Sequence, residues 1–517
     1  MNEDKLIEKP PIKVGVLISA TGIGAFLASL DGTIVNISLP QIMGSLGVAQ
    51  NLVQWIILSY LLTMIAFTTV SGDLGDRISN KLVFQSGMII FSLASLLCFF
   101  ARSLILLILF RIIQGVGATG MVANGMAIIT RFTTRENRGL AIGLNSLLIA
   151  VAIGLGPILG GALTEYLDGV LIFHGQPYSG WPFIFLINVP IGLLGFFWVQ
   201  HVIPPTPPIQ ERRRKADVPG SIFLSGFLFL MVFSFSVFAS IFEHTFFGAN
   251  PNLFPGNIPL TRFKLEVGTF GHFAKLWSGM SFGLSILFLI FFILWERKTS
   301  NPVVDLTMFK NRRFTVGIFS GVLAYLGLCV IIYQLPFFVQ QILHYDTFRT
   351  GIAIMGTPIG MAIAAAASGA VAHKIDVKYL STAGIGIMVL ALLLGALFIS
   401  EYVPTVIIVI IATVIGVSLG IFIAPNNTSV MSAAPESKLG IANSMLSLST
   451  NVGFSLGTAL ATAVFVYSQN VFQKANGGSV TDIVNYVPAM RVLFGVFAGF
   501  MLFSTIFSFF RGPKPED

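Results

Sequence analysis

A carboxylate interrupts the first apolar run of this chain, at Leu30-Asp31-Gly32-Thr33-Ile34-Val35-Asn36. If the run crosses a bilayer, that charge costs about 2.5–3.5 kcal/mol on insertion scales, so by default it marks function. A base, Arg111, lies equally deep in another apolar run. Asp31 is eight residues from the run's end near Leu39, and Arg111 is eight residues from Ser103. Each is thus about 12 Å in, at a rise of 1.5 Å per residue. An Arg at that depth without an acid would be severely penalised, so the two are expected to pair. Such a pair can simply hold two helices together. It can also carry a proton, because burial favours the neutral carboxyl and a nearby cation favours the ionised one. Moving the Arg closer or further then loads and releases the proton.

The elements that position these residues follow from composition. Of 517 residues 55% are hydrophobic and only 10% charged, against about 25% charged in a soluble domain. With a mean hydropathy of +0.86 this predicts an all-α polytopic membrane protein, since lipid requires each span to satisfy its own backbone. Apolar runs of spanning length fall at roughly 14–40, 53–71, 82–100, 103–129, 139–165, 181–201, 218–242, 277–295, 313–338, 349–371, 380–399, 405–430, 440–466 and 488–510, fourteen in all. With the N-terminus cytoplasmic, most of the 30 basic residues fall in inner segments, including Arg77, Lys81, Arg131, Arg212 to Lys215, Lys310, Lys374, Lys378 and Arg511. The positive-inside rule therefore places both termini in the cytoplasm of a multi-pass cell-membrane protein. The net charge of +8 is a topology signal, and nucleic acid is not an expected partner. At the polar N-terminus a removable signal peptide is not expected. Cys98 and Cys329 sit in apolar runs and offer no disulfide framework.

An internal repeat organises the spans. Gly72, Arg77, Ile78 and Lys81 after helix 2 recur as Gly369, Lys374, Ile375 and Lys378 after helix 10, and Leu39-Pro40 recurs as Leu335-Pro336. Three regions follow: 1–203, an N-terminal six-helix half; 204–312, a basic Pro-rich linker, two inserted helices and a long outer loop at 243–276; and 313–517, a C-terminal six-helix half. Paired halves around a cavity are a secondary-transporter plan.

Four motifs, in order on successive helices, carry a resemblance. Leu30-Asp31-x-Thr33-Ile34-Val35-Asn36-x-x-Leu39-Pro40 is similar to the helix 1 motif of the fourteen-helix drug:proton antiporter branch of the major facilitator superfamily. Gly72-Asp73-Leu74-Gly75-Asp76-Arg77-x-x-x-Lys81 resembles that superfamily's loop 2–3 signature. Leu107-x-x-x-Arg111-x-x-Gln114-Gly115-x-Gly117 looks like the helix 4 motif of its proton-coupled members. Gly154-x-Gly156-Pro157-x-x-Gly160-Gly161 resembles its helix 5 antiporter motif. Trp181-x-x-Ile184-Phe185-x-Ile187-Asn188-x-Pro190 adds a similarity in helix 6. The resemblance covers nearly the whole chain. It implies the major facilitator fold, two six-helix halves with helices 7 and 8 inserted, and a multidrug efflux activity of the quaternary-ammonium type. It implies proton coupling through Asp31 and Arg111, a cytoplasmic gate at Gly72, Asp73, Asp76, Arg77 and Lys81, and an antiporter hinge at Gly154, Gly156, Pro157, Gly160 and Gly161. Read as residues, the glycines could equally serve ordinary close packing. Asp76 could cap the next helix, and Lys81 reads as a solvated surface charge. Ser79 and Asn80 depart from the signature, and His373 stands where the second copy would carry its acid.

Asn36, Gln114, Asn145, Gln334 and Asn426 are polar candidates for the cavity. With 48 phenylalanines the cavity is expected to be apolar and aromatic, suited to lipophilic substrates. No second acid lies deep in a span, so a preference for divalent cations is not expected; Glu165, Glu243, Glu296 and Glu401 fall near span ends. No Gly-Lys dipeptide occurs, which excludes a phosphate-binding P-loop, and six scattered histidines form no metal site. No metal, cofactor or enzymatic reaction is expected. The expected partners are a lipophilic small molecule, protons and membrane lipid, with a monomer sufficient. The alternatives are an exporter of an endogenous lipid, siderophore or metabolite, and a non-transporting scaffold or receptor on the same fold.

Overall fold

In a computed structural model the chain is described at residues 12–170, 172–173, 176–177, 179–206, 217–243, 267–299, 302–371, 375–435, 439–479 and 481–512. Among the described residues fourteen helices are long and apolar enough to cross a membrane. They are α1 Val14–Leu46, α2 Gln50–Thr68, α3 Asn80–Phe100, α4 Leu104–Phe132, α5 Leu140–Tyr166, α6 Phe183–Val202 and α7 Val218–Phe238. Then come α8 Leu276–Glu296, α9 Arg312–Gln341, α10 Thr347–Val371, α11 Val377–Phe398, α12 Thr405–Ser432, α13 Ser444–Asn476 and α14 Ile483–Phe509. The fourteen expected runs are all present. The helix containing α2 continues to Arg77, carrying the signature residues out of the span as helix rather than loop. Between α5 and α6 a two-residue ladder pairs Ile172–Phe173 with Gln176–Pro177. Arg212 to Lys215, residues 244–266 of the outer loop, and His373 and Lys374 lie outside the described residues.

The two halves pack alike. In the first, α1 lies on α5, α3 on α4, α2 on α4, and α6 on α3 and α1; in the second, α9 lies on α13, α11 on α12, α10 on α12, and α14 on α11 and α9. Small residues make these approaches possible. A Cβ on Gly87 or Gly117 would stand 2.7 or 2.5 Å from a backbone atom of the facing helix. Two Gly-x-Ser-x-Gly strings, at 416–420 and 453–457, do the same inside α12 and α13: a Cβ on Gly416 would meet the Thr357 carbonyl at 2.0 Å. They are packing seams, because a nucleophile elbow needs a strand-to-helix turn.

The inserted pair seals one seam between the halves. Ser236 of α7 donates to the Asn51 carbonyl at 3.1 Å and accepts from the Trp55 indole at 3.1 Å, tying α7 to α2. On its other side Phe238 stacks on Tyr467 of α13. Ser234 donates to the Ser278 carbonyl at 2.9 Å and joins α7 to α8. The outer face of α8 exposes Trp277, Met280, Leu287, Ile290, Phe291 and Leu294, a surface that lipid rather than water satisfies.

Candidate functional site

Asp31 and Arg111 are in contact, and neither is exposed. The carboxylate is saturated from two neighbouring helices. Its Oδ2 receives Arg111 Nη1 from α4, and its Oδ1 receives Gln114 Nε2 at 2.8 Å and Asn188 Nδ2 of α6 at 3.0 Å. Arg111 and Gln114 are about one helical turn apart, so they share a face, and Arg111 Nη1 also donates to Gln114 Oε1 at 2.7 Å. Arg111 Nε donates to the Ile56 carbonyl of α2 at 3.0 Å, and Gln114 Nε2 donates to Ser95 Oγ of α3 at 2.8 Å. The guanidinium lies 4.2 Å from the Tyr60 ring centre and 5.8 Å from that of Phe185, where ring faces take the place of water. Every other helix of the first half except α5 thus meets α1 at one charge pair.

Immediately beside it runs a cavity of about 1150 Å³. The helix that carries Asp31 presents Ser29, Gly32, Thr33 and Asn36 to this space, and Tyr60 forms part of the wall between cavity and ion pair. Asn145, Asn451, Tyr325, Tyr333 and Phe454 also line it. The cavity extends to Gly72, Asp73 and Asp76, and to Asp217, Asp305 and Ser444, at the end of the molecule that bears Arg77, Lys81 and Arg511. Hydrogen bonds joining the halves collect at the opposite end. There Gln50 donates to Gln334 Oε1 at 2.8 Å, Gln340 to the Ile37 carbonyl at 2.8 Å, and Gln41 to Thr347 Oγ1 at 2.6 Å. The Thr347 N–H donates to Glu165 Oε2 at 3.1 Å. One end is therefore sealed while the basic end is lined by cavity.

The chain matches the sequence profile of the Major Facilitator Superfamily over residues 21–339 and 318–517. The chain belongs to the major facilitator superfamily. It is 28% identical over 452 residues to the riboflavin transporter RibZ of Clostridioides difficile (strain 630), covering 87% of this chain and 88% of that one. It is 28% identical over 458 residues to the multidrug export protein EmrB of Haemophilus influenzae (strain ATCC 51907 / DSM 11121 / KW20 / Rd), covering 88% and 81%. A solved bacterial homologue of the human lysosomal transporter Spinster, in an inward-facing and unoccupied conformation, is similar in fold, with a TM-score of 0.69 at 15% identity over 98% of each chain. The protein is a membrane transporter, and its work is transport rather than catalysis.

The transporter's other candidate residues fall into three groups. Asn36 and Asn145 face the cavity. Gln114, Gln334 and Asn426 do not: Gln114 belongs to the ion pair, Gln334 to the seal, and Asn426 accepts from Arg511 and donates to the Gly317 carbonyl at 3.2 Å. Along the signature, Arg77 pairs with Asp73 at 2.6 Å, and Asp76 accepts from Asn80 at 3.3 Å. Gly72 has room around it: a Cβ there would meet only Ala123, at 3.9 Å. The cap of α3 is Ser79, which accepts from the Leu82 N–H, and not Asp76. Lys81 is not solvated: it is 8% exposed, and its ammonium donates at 3.0 Å to the Gln200 carbonyl in the last turn of α6, where the helix dipole favours a cation.

In α5, Pro157 lies within the helix, and the glycines face two ways. A Cβ on Gly156 would meet Thr33 Oγ1 at 2.1 Å, and one on Gly160 the Ile34 carbonyl at 2.5 Å. A Cβ on Gly161 would meet the Thr347 carbonyl of α10 at 2.6 Å. One helix thus touches both the segment beside Asp31 and the other half. Asn188, Ser95 and Tyr60 were not expected around Asp31. Asn188 stands inside the helix 6 motif, and its polar side chain amid apolar neighbours was the signal to follow.

Proposed function

We propose that this transporter exports lipophilic small molecules in exchange for protons, by alternating access between its halves. The observation that carries this reading is the shared use of α1: one face presents Ser29, Gly32, Thr33 and Asn36 to the cavity while Asp31, between them, closes the ion pair. Any change at the carboxylate reaches the cavity wall through one helix. By the positive-inside rule the basic end is cytoplasmic, both termini included, and the cavity is inward-facing. In that state Asp31 is ionised and held by Arg111, Gln114 and Asn188. A proton arriving when the cavity opens outward neutralises Asp31 and weakens the attraction to Arg111. Substrate and proton need only prefer different conformations for the two flows to be exchanged. The α5 glycines act as the hinge, and the Asp73 to Lys81 stretch as the cytoplasmic gate.

The test is transport in proteoliposomes under an imposed pH gradient, reading substrate and proton flux together. Asp31→Asn at unchanged reconstitution is expected to abolish gradient-driven transport. Full retained coupling would remove Asp31 from the mechanism.

A second substrate reading has its own support. The similarity to a riboflavin transporter, together with Tyr60, Tyr325, Tyr333, Phe454, Asn36 and Asn145 around the cavity, suits a planar heteroaromatic metabolite that is stacked and hydrogen-bonded. Competition by unlabelled flavin in the same vesicles distinguishes the two; indifference to flavin at saturating levels sinks it.

A further inference from the structure

A pair of buried acids, Asp217 and Glu296, lies far from Asp31 in the sequence and has no part in the exchange proposed for it. Asp217 precedes α7 and Glu296 ends α8, so the inserted hairpin brings both to the basic end. They are 5% and 4% exposed. Each carboxylate uses one oxygen on donors. Asp217 Oδ1 accepts from the Gly220 N–H at 2.9 Å and the Trp295 indole at 2.7 Å, and Glu296 Oε2 accepts from the Val304 N–H at 3.4 Å. The remaining two, Asp217 Oδ2 and Glu296 Oε1, meet no donor. They converge on one place: a Cβ on Gly220 would stand 2.3 Å from the first and 2.7 Å from the second.

Among the described residues the charges around them do not relieve this. Arg297 and Lys298 follow Glu296 with exposed side chains. The Asp305 carboxylate accepts from the Thr307 N–H and hydroxyl at 2.9 and 2.6 Å. At the cavity mouth Asp73 holds Arg77, and Asp76 accepts from Asn80. Neither Asp217 nor Glu296 enters an ion pair among the described residues, and those residues gather no group of three that could hold a metal.

We infer that Asp217 and Glu296 bind one proton between them, a second proton site of this transporter at the mouth of its cavity. Two ionised carboxylates held together away from water repel, so one of them keeps a proton. That proton sits between Oδ2 and Oε1 as a charge-assisted O–H···O hydrogen bond and satisfies both orphan oxygens. The proton belongs to the pair rather than to either acid. Its position matters: Asp217, Pro302, Val303 and Asp305 line the cavity, and Glu296 anchors that stretch through Val304. Losing the proton leaves two charges beneath the stretch and loosens its hold on the mouth. The site gives the inserted helices a role of their own and does not depend on Asp31 coupling to transport.

Infrared difference spectra of the purified full chain in lipid nanodiscs at neutral pH, in H2O and D2O, read the C=O stretch of a protonated carboxyl directly. Wild type is expected to show a deuterium-sensitive component that is lost in Glu296→Gln and in Asp217→Asn and kept in Asp31→Asn. Its absence from wild type, or its survival in either folded variant, overturns the shared proton. So does its removal by millimolar Mg²⁺ or Ca²⁺, which would make the pair a cation site. Gel filtration establishes which variants fold; where one does not, the other decides alone.

Discussion

The two halves share a scaffold and differ at its centre. Asp31 lies eight residues before Leu39-Pro40, and the residue eight before Leu335-Pro336 is Gly327. In the first half that place holds a carboxylate with an Arg, a Gln and an Asn converging on it. In the second it holds a glycine, and a Cβ there would stand 2.6 Å from Met501 Sδ and 2.9 Å from Met388 Sδ. Nearer the basic end the plan is kept and the contact changes. Lys81 and Lys378 both follow a capped helix start, Ser79 capping α3 and Asp376 capping α11. Lys81 reaches the last turn of α6 by a hydrogen bond, while Lys378 lies 4.0 Å over the Phe509 ring at the end of α14. The repeat preserves where helices meet; it does not preserve what they meet through. Among the described residues the buried ion pair stands in the first half alone, because each buried ion needs its own set of partners.

That contrast can be broken by moving a charge. Gly327→Asp puts a carboxylate among methionine sulfurs with no Arg at hand, costing about 2.5–3.5 kcal/mol for the charge alone. Most of the protein should fail to elute as a folded monodisperse peak, and a wild-type melting curve would refute the asymmetry. Glycine packing, in contrast, is common to both halves. Gly160 of α5 faces the Ile34 carbonyl of α1, and Gly457 of α13 faces Leu326 and Cys329 of α9. Alanine at either is expected to cost about 1–3 kcal/mol of stability. Gly154→Ala, whose Cβ would only touch Pro358 at 3.9 Å, should stay within about 0.5 kcal/mol. A Gly457→Ala variant as stable as wild type would show that the α9–α13 contact at this position is looser than the α1–α5 contact at Gly160.

The one substitution expected to raise stability concerns Arg511, beyond the end of α14. Asn124 in α4 meets Ser71 and Asn80, uncharged partners, whereas Asn426 in α12 takes Arg511. Burial, and then Arg313 nearby, push the Arg511 guanidinium down to about 10. A base whose pKa falls on folding weakens the folded state throughout the range below its folded value, and the penalty is relieved as pH rises through that value. Arg511→Met should therefore raise stability by on the order of 1 kcal/mol. Thermal melts should show the gain constant across neutral pH and shrinking above about 10. A gain that changes between pH values near neutrality would point to a different titrating group.

Much of this was legible in the chain itself. Fourteen apolar runs, the bias of basic residues and the recurrence of Leu-Pro and Gly-Arg-Ile-Lys spacings specify the spans and the two halves, because hydrophobic length and charge placement act residue by residue along one helix. The Asp31–Arg111 contact was also foreseeable, since a deep acid and a deep base at equal depth have few other ways to be satisfied. Only the tertiary structure could add Asn188 and Ser95 to that pair, move Gln334 and Asn426 out of the cavity, bury Lys81 against α6, and set Glu296 against Asp217. Each of those depends on how one helix is rotated against another. That rotation is decided by glycine contacts such as Gly160 on Ile34 and Gly117 on Phe91, which no single stretch of sequence contains.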